Sequence, residues 1–407
     1  MTQSTHTDRH TPRRIALLGA SGSIGRSALN VIEHSGGCLV PSVLTVHRQT
    51  QVLLELAHRY HPKTVVVSDP NADCSCLREL PCGTELLVGA AALEEVATGD
   101  DIDVVLSAIV GSAGLCSTRA ALEANKTVAL ANKESLVVAG ELLTSLVQAG
   151  HGRIIPVDSE HSAIYQCLHA RRLTPESGKP WQCPVACCPE VERLILTASG
   201  GPFRGWAPDR LQGVTVADAL AHPTWSMGKK ITIDSATMVN KALELIEAHW
   251  LFGVSGDKLS VVIHPQSIIH SMVEFIDGAI VAQLSPPDMQ LPIQFALYDS
   301  ERHRGPSQRM DWHRLCQLEF AMPGPGEYPA LALGYDVVAR GGSCGVVFNT
   351  ANEVAVNAFL HGQLPFDRIV PACEHALSIH PYDPCPDFHR LGELELWTRL
   401  EIQKWIS

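Results

Sequence analysis

"RRIALLGASGSIGRSALNVIEHS", residues 13–35, joins a short apolar run to a helical pattern through three glycines. "RRIALLGA" reads as a strand and "SALNVIEHS" as a helix. Gly19, Gly22 and Gly25 lie between them with the spacing G-x-x-G-x-x-G, a variant of the dinucleotide-binding fingerprint. Glycines at such a turn let the backbone approach a pyrophosphate, and the following helix N-terminus offers N–H donors and a favourable dipole. Alone, the motif also fits a glycine-rich turn in a fold that binds nothing. Its setting favours the cofactor. "LVPSVLTV", "TVVVS", "DVVLSAIVG" and "TVALAN" follow as further strands, with helical patterns such as "STRAALEAN" and "SLVVAGELLTSLVQAG" between some of them. Strands alternating with helices in this way predict an α/β domain built on a doubly wound parallel sheet.

Composition narrows the class further. Of 407 residues, 45% are hydrophobic and 18% charged, which suits globular domains with sizeable cores and excludes a disordered chain. A formal charge of −12 without a basic tract disfavours a nucleic-acid partner. The 13 cysteines are odd in number and lack framework spacing, so they read as reduced thiols of a cytoplasmic protein. Cys183, Cys187 and Cys188 cluster in a Pro-rich stretch, but no C-x-x-C pair completes a zinc site, and a surface loop is the expectation. The N-terminal "MTQSTHTDRHTPRR" has no apolar core and is not a signal peptide; residues 1–12 read as a disordered tail. The stretch Val104 to Cys116 is too short and too interrupted to span a bilayer, so no membrane association is expected.

Within the Rossmann-like region, 13–157, two strand ends carry candidate ligands. The second strand ends "LTVHRQT", with Arg48 between His47 and Gln49 and no acid. A cation there suits the 2′-phosphate of NADP, where an NAD site carries an acid. "ALANKESL" places Asn132, Lys133 and Glu134 at the carboxyl edge of the sheet, where open α/β folds bind ligands. Capping accounts for Asn132 and Glu134; Lys133 is left over, available to an anionic or oxygen-rich substrate.

The middle of the chain holds the acids. "VDSEH", 157–161, places Asp158 and Glu160 at i and i+2, on one side if the chain is extended, or around a helix start if it is not. "DSATMVNKALELIEAHWLF" reads as a helix capped by Asp234 or Ser235, with an apolar stripe of Val239, Leu243, Ile246 and Trp250. Asn240, Glu244 and Glu247 share a neighbouring face beside Lys241; a surface helix would show such a face as well. Three carboxylates with open coordination suit a hard divalent cation, Mg²⁺ or Mn²⁺. "HPTWSMGKK", 222–230, carries His222, Trp225 and Met227 on Pro/Gly-punctuated backbone, as a lid would. "TASGGPF" adds Ser199, and "VIHPQSIIHSM" adds His264, Ser267 and His270. "HSMVEFIDGAIVAQL" predicts a β-hairpin with Asp277-Gly278 as a type I′ turn. Residues 299–327 read as an irregular connection and 328–407 as mostly helical, with Thr350 and Glu353 as a capping box opening "ANEVAVNAFLHG".

The motifs "GASGSIG", "LANKESLV", "PVDSEHSAIYQ", "TASGGPFR", "HPTWSMGKKITIDSATMVNKALELIEAHWLF", "HPQSIIHSMVEFIDG" and "NTANEVAVNAFL" occur in this order. Together they resemble the 1-deoxy-D-xylulose-5-phosphate reductoisomerases, over essentially the whole chain. The resemblance implies an NADPH-binding domain, a catalytic and metal-binding domain over 158–298 with a flap at 222–230 and a dimer interface, and a C-terminal helical domain. It implies that Asp158, Glu160 and Glu244 hold Mg²⁺ or Mn²⁺. Lys133 and Glu160 match catalytic positions. Lys133, Ser159, Glu160, Ser199, His222, Trp225, Met227, Ser235, Asn240, Lys241, Glu244, Ser267 and His270 match substrate positions. Gly19, Ser21, Gly22, Ser23, Ile24, Asn132, Glu134 and Gly228 match cofactor positions, with His47, Arg48 and Gln49 in the 2′-phosphate loop. The implied reaction rearranges 1-deoxy-D-xylulose 5-phosphate and reduces it with NADPH to 2-C-methyl-D-erythritol 4-phosphate, on the way to isoprenoids, in a homodimer. Two departures stand out: Ala20-Ser21 where Ser-Thr is common, and a longer, Cys-rich insertion around 180–189. An NADP-dependent reductase of another phosphorylated ketone or aldehyde without rearrangement shares the fold and is told apart by its product, whereas the joint presence of Lys133, Asp158, Glu160 and Glu244 argues against an NADP sensor without chemistry.

Overall fold

The computed structural model describes residues 11–169 and 189–407, apart from 226, 314, 316 and 325. Nearly all of the expected tail, and the insertion with Cys183, Cys187 and Cys188, lie outside the described residues. The described cysteines are all free thiols.

The alternation from residue 13 onward builds one parallel sheet. Its strands are β1 (Arg13–Leu18), β2 (Leu39–Val46), β3 (Thr64–Val67), β4 (Glu85–Val88), β5 (Val104–Ser107), β6 (Thr127–Leu130) and β7 (Arg153–Pro156). They lie in the order β4-β3-β2-β1-β5-β6-β7. The inner strands are apolar throughout because helices cover both faces; Ile15 to Leu18, Val65 to Val67 and Val128 to Leu130 are fully buried. Strand β4 has no counterpart in the sequence reading. It is a short edge strand whose four residues are all partly or fully exposed, so it carries little hydrophobic signal.

The chain runs outward from β1 to β4, then returns to the other side of β1 to start β5. The carboxyl ends of β1 and β5 therefore form the topological switch point. Gly19 sits there with φ +95°, and a Cβ on it would lie 2.7 Å from the carbonyl oxygen of Ala108, just past β5. A Cβ on Gly25 would lie 2.4 Å from the Gly19 oxygen, so the helix Ser23–Glu33 can close onto the strand only with glycine at that position.

A second sheet comprises β8 (Val191–Ala198), β9 (Leu259–Ile263), β10 (Ile269–Phe275) and β11 (Ile280–Leu284), in the order β11-β10-β8-β9. The β10–β11 hairpin is present, but its turn is not type I′. Gly278 has φ +84° while Asp277 stays out of the left-handed region, whereas a type I′ turn needs both there. The Gly278 N–H closes onto the Phe275 oxygen, and the Asp277 carboxylate accepts from the Ala279 N–H.

Two helix starts also differ from the sequence reading. The "DSATMVNKALELIEAHWLF" segment is two helices, Lys229–Thr237 and Val239–Phe252, hinged at Met238 with φ +61°. Asp234 and Ser235 thus lie inside the first helix and do not cap the second. The helix with "ANEVAVNAFL" spans Cys344–Leu360, placing Thr350 in its interior. Of the two expected capping residues, Glu353 accepts from Arg399 at 2.8 Å while the buried Thr350 hydroxyl has no hydrogen-bond partner among the described residues; the neighbouring buried Asn352 donates to Asp234 at 2.8 Å. With Pro329–Arg340, Ile369–Ile379 and Phe388–Ile406 this helix forms a helical C-terminal region. No helix among the described residues is long and apolar enough to cross a membrane.

Candidate active site

A cavity of about 720 Å³ opens at the switch point. One wall is the cofactor side, with Ser23 and Ile24 from the glycine turn, Ala108 to Val110 after β5, and Asn132 to Glu134 after β6. The opposite wall carries Asp158, Ser159 and Glu160 after β7, with Asn240, Lys241 and Glu244 from the helix Val239–Phe252. Ser199, His222, Trp225, Met227, Gly228, Ser235, Ser267 and His270 complete it. Residues from well-separated parts of the sequence thus meet in one chamber. Gly19, Ser21 and Gly22 stay in the turn beneath it. His47, Arg48 and Gln49 follow β2 and do not line it; Arg48 pairs there with the buried carboxylate of Asp69, and His47 contacts Ser68 at 3.0 Å.

The cofactor-side loop is braced by capping. Asn132 is the N-cap of the helix Lys133–Gln148, accepting from the Ser135 N–H at 2.8 Å, while its amide donates to the Gly111 carbonyl at 2.7 Å and also to that of Ile109. Both sequence readings of Asn132, cap and site wall, therefore hold at once.

The acids behave likewise. Strand β7 ends at Pro156, and Glu160 lies in the first turn of the helix Ser159–His169, so the pair is not extended. The helix start itself turns both carboxylates toward Glu244. Oxygens of Asp158, Glu160 and Glu244 lie within 4.8 Å of one another. Lys133 pairs with Asp158 and, at 2.9 Å, with Glu244. Lys241 pairs with Glu160 at 2.8 Å and with Glu244. On the helix face with Asn240, Glu244 and Glu247 both acids are buried and Asn240 is half-buried, so the face is not a solvated surface. Burial disfavours the Lys133 ammonium, but Asp158 and Glu244 outweigh it and hold its pKa well above the ordinary lysine range. Burial likewise opposes the charge on Lys241, and Glu160 and Glu244 raise its pKa. Glu160 is lowered in spite of burial, chiefly by Lys241. Three carboxylates against two ammoniums leave one negative charge in excess in a pocket of oxygen donors. That donor set fits a hard divalent ion of the Mg²⁺ or Mn²⁺ type.

Behind this cluster lie two groups the sequence reading did not single out as site residues. His161, fully buried, places Nε2 2.9 Å from the Glu244 carbonyl oxygen and Nδ1 3.2 Å from Glu247. Burial raises Glu247 well above the carboxylate range, helped by Asp158, and lowers His161. Burial thus disfavours charge on both groups. Helical spacing from Glu244 was a signal for Glu247; His161 gave none beyond its place in "VDSEH".

At the other end, His222 organises the loop that follows. Its Nδ1 accepts from the N–H groups of Thr224 at 3.1 Å and Trp225 at 2.9 Å. Nε2 therefore carries the hydrogen of the neutral ring, 3.2 Å from the hydroxyls of both Ser199 and Ser235. Burial lowers the His222 pKa and keeps the ring neutral. His270 contacts the Ser285 hydroxyl at 2.9 Å, and its ring centroid lies 6.2 Å from that of Trp225.

The chain matches the 1-deoxy-D-xylulose 5-phosphate reductoisomerase family over residues 15–140, its C-terminal domain over 154–252, and a further DXP reductoisomerase C-terminal domain over 284–401. It is 46% identical to 1-deoxy-D-xylulose 5-phosphate reductoisomerase of Rhodopirellula baltica, covering 96% of this chain and 94% of that one. The chain belongs to the 1-deoxy-D-xylulose 5-phosphate reductoisomerase family. Solved structures of the reductoisomerases share its fold. A crystal structure of DOX-P reductoisomerase in complex with NADPH, fosmidomycin and magnesium superposes with a TM-score of 0.87 at 37% identity, covering 97% of this chain and 98% of that one. The Zymomonas mobilis reductoisomerase in complex with NADPH gives 0.85 at 38%, with 97% and 99% covered. Residues from six of the seven motifs that carry the resemblance line this one cavity; the motif at 349–360 does not.

Proposed function

We propose that this chain converts 1-deoxy-D-xylulose 5-phosphate to 2-C-methyl-D-erythritol 4-phosphate, using NADPH and Mg²⁺ or Mn²⁺. One observation carries the reading: the carboxylates of Asp158, Glu160 and Glu244 converge with Lys133 and Lys241 on a wall that faces a dinucleotide-type helix N-terminus across one cavity. Bound at the carboxylates, a divalent ion supplies Lewis-acid stabilisation of charge on neighbouring substrate oxygens. Lys133 stands beside that position and stabilises negative charge on the reacting oxygens. Neutral His222, as an Nε2–H donor, joins the hydroxyls of Ser199 and Ser235, with Asn240 and Lys241, to receive the phosphate. Trp225 and Met227 cover the chamber and exclude water. Ser23, Ile24, Asn132, Glu134 and Gly228 hold the cofactor, with Arg48 at the 2′-phosphate.

The direct test follows NADPH absorbance with 1-deoxy-D-xylulose 5-phosphate and Mn²⁺, then with EDTA. Oxidation that depends on substrate, stops with chelator and yields the branched polyol phosphate is expected. Reduction without rearrangement would replace this reading with that of a simple reductase.

The same reading includes a homodimer built on the second sheet. Its edge strand β11 leaves Ile280 and Val281 exposed, with Ile276 of the turn beside them, an apolar edge that a partner would cover. Light scattering is expected to give twice the chain mass of 44.0 kDa. A monomer at micromolar concentration would refute it.

A further inference from the structure

One buried ionic cluster lies outside the catalytic set. Lys230, the last residue of the flap and in the first turn of the helix Lys229–Thr237, places Nζ 3.0 Å from Glu134 and 2.8 Å from Asp234. Glu134 is in the first turn of the helix Lys133–Gln148, next to Lys133. Asp234 accepts in turn from Asn352 of the C-terminal helix at 2.8 Å. All four side chains are largely or fully buried, Asp234 and Asn352 completely so. A surface ion pair contributes little. A buried pair with both carboxylate partners fixed is different, since breaking it strands charge in the interior.

The position of this cluster gives it a use. The flap is held at its entry by His222, whose Nδ1 takes two flap N–H groups. Its exit has no side-chain cap: Gly228 is the N-cap of Lys229–Thr237 and offers none. Lys230 supplies the missing anchor, and anchors it to the cofactor wall instead of the substrate wall. We propose that Lys230 is a positioning residue that couples cofactor binding to the flap: it fixes the flap exit to Glu134, while Asn352 holds Asp234 from behind. The proposal rests on the reading of Glu134 and Gly228 as NADPH contacts. A cofactor that orders Glu134 then also orders the flap exit, and by reciprocity a fixed flap favours the cofactor.

Burial works against the Lys230 ammonium, but Asp234 and Glu134 more than compensate and raise its pKa above the ordinary value. Glu134 is lowered despite burial, chiefly by Lys230. The charged forms of Lys230 and Glu134 thus support one another within the anchor.

Hydrogen–deuterium exchange of the 222–228 segment, with and without saturating NADPH, tests the coupling in the full-length protein. A coupling of ordinary size slows exchange about tenfold on NADPH addition in the wild type. Lys230→Arg, which keeps a cation between the two carboxylates, is expected to retain this slowing. Lys230→Gln is expected to lose it and, by the same reciprocity, to weaken NADPH by no more than about tenfold, the size of the coupling removed. Wild-type slowing in Lys230→Gln would overturn the proposal. So would NADPH affinity reduced by more than about tenfold in that variant, the mark of a direct charge-assisted ligand. If Lys230→Gln does not fold, Asn352→Leu makes the same test from behind: a weakened slowing supports the coupling, and an unchanged one overturns it. A wild-type protein that binds no NADPH refutes the cofactor reading and the proposal with it. One that binds NADPH without slowing the flap refutes the proposal alone.

Discussion

Glu244→Gln is expected to lower turnover on the order of 10³-fold, because an ion-binding carboxylate that stabilises developing charge is worth several kcal/mol in the transition state. The argument is one of charge. Glu244 is fully buried and touches both Lys133 and Lys241, and its oxygens close the triangle with Asp158 and Glu160. With glutamate, the cluster holds one negative charge in excess and attracts a dication. With glutamine, the two lysines balance the two remaining acids, and the attraction is gone. Burial disfavours charge on Glu247, which is therefore a poor replacement for the lost carboxylate. Glutamine matches glutamate in shape, and its one carbonyl oxygen keeps one of the two lysine contacts made by the two Glu244 oxygens, so the fold is expected to persist.

Two readouts separate this account from a general loss of structure. Mn²⁺ affinity, measured by electron paramagnetic resonance of free ion, is expected to fall together with turnover, while NADPH affinity stays near wild type. A variant that still binds Mn²⁺ as wild type does and turns over normally at saturating Mn²⁺ would remove Glu244 from the metal site. Loss of NADPH binding in parallel would indicate damage to the chamber as a whole.

Much of this site was legible in the chain because each motif has a local cause. The glycines of 19–25 follow from a strand that must turn tightly into a helix, and their spacing marks the switch point before any coordinate does. Asp158 and Glu160 were visible as an acidic pair, but their geometry was not: the extended and helical readings place Glu160 differently, and only the docking of Ser159–His169 against the second sheet selects the helix. The meeting of Glu244 with that pair is a tertiary fact, across more than eighty residues, and periodicity cannot report it. The capping readings at Asp234 and Thr350 failed for one reason. A polar residue ahead of an apolar run looks like a helix start, yet here both lie inside helices that begin earlier in the chain, and buried polar groups of those helices serve contacts between distant elements, as in the pairing of Asn352 with Asp234. Strand β4 was missed because an exposed edge strand of four residues carries almost no pattern.

Arg48→Ala is expected to weaken NADPH binding by roughly 10- to 100-fold and to leave NADH binding almost unchanged, the range for losing charge-assisted hydrogen bonds to a phosphate. The sequence offers a cation at the end of β2 where an NAD site carries an acid, and the structure shows how that cation is presented. Asp69, nearly buried after β3, accepts from the Asn71 N–H at 2.9 Å and pairs with the Arg48 Nε. The Arg48 side chain is otherwise 71% exposed. A long exposed side chain must lose rotamer freedom to bind a ligand. Fixing Nε in advance reduces that loss and leaves the terminal nitrogens free for a dianionic phosphate. His47, held by Ser68, lies beside it. The Asp69 carboxylate is itself paired with the Arg48 Nε, which limits its repulsion of the phosphate. Fluorescence titration of NADPH and NADH against wild type and Arg48→Ala tests the expectation directly. Losses confined to NADPH, and steeper at low ionic strength, establish the 2′-phosphate role. Equal losses for the two cofactors would place Arg48 at the adenosine or in the fold, and would leave the preference for NADPH to be sought among His47, Gln49 and the β3 turn.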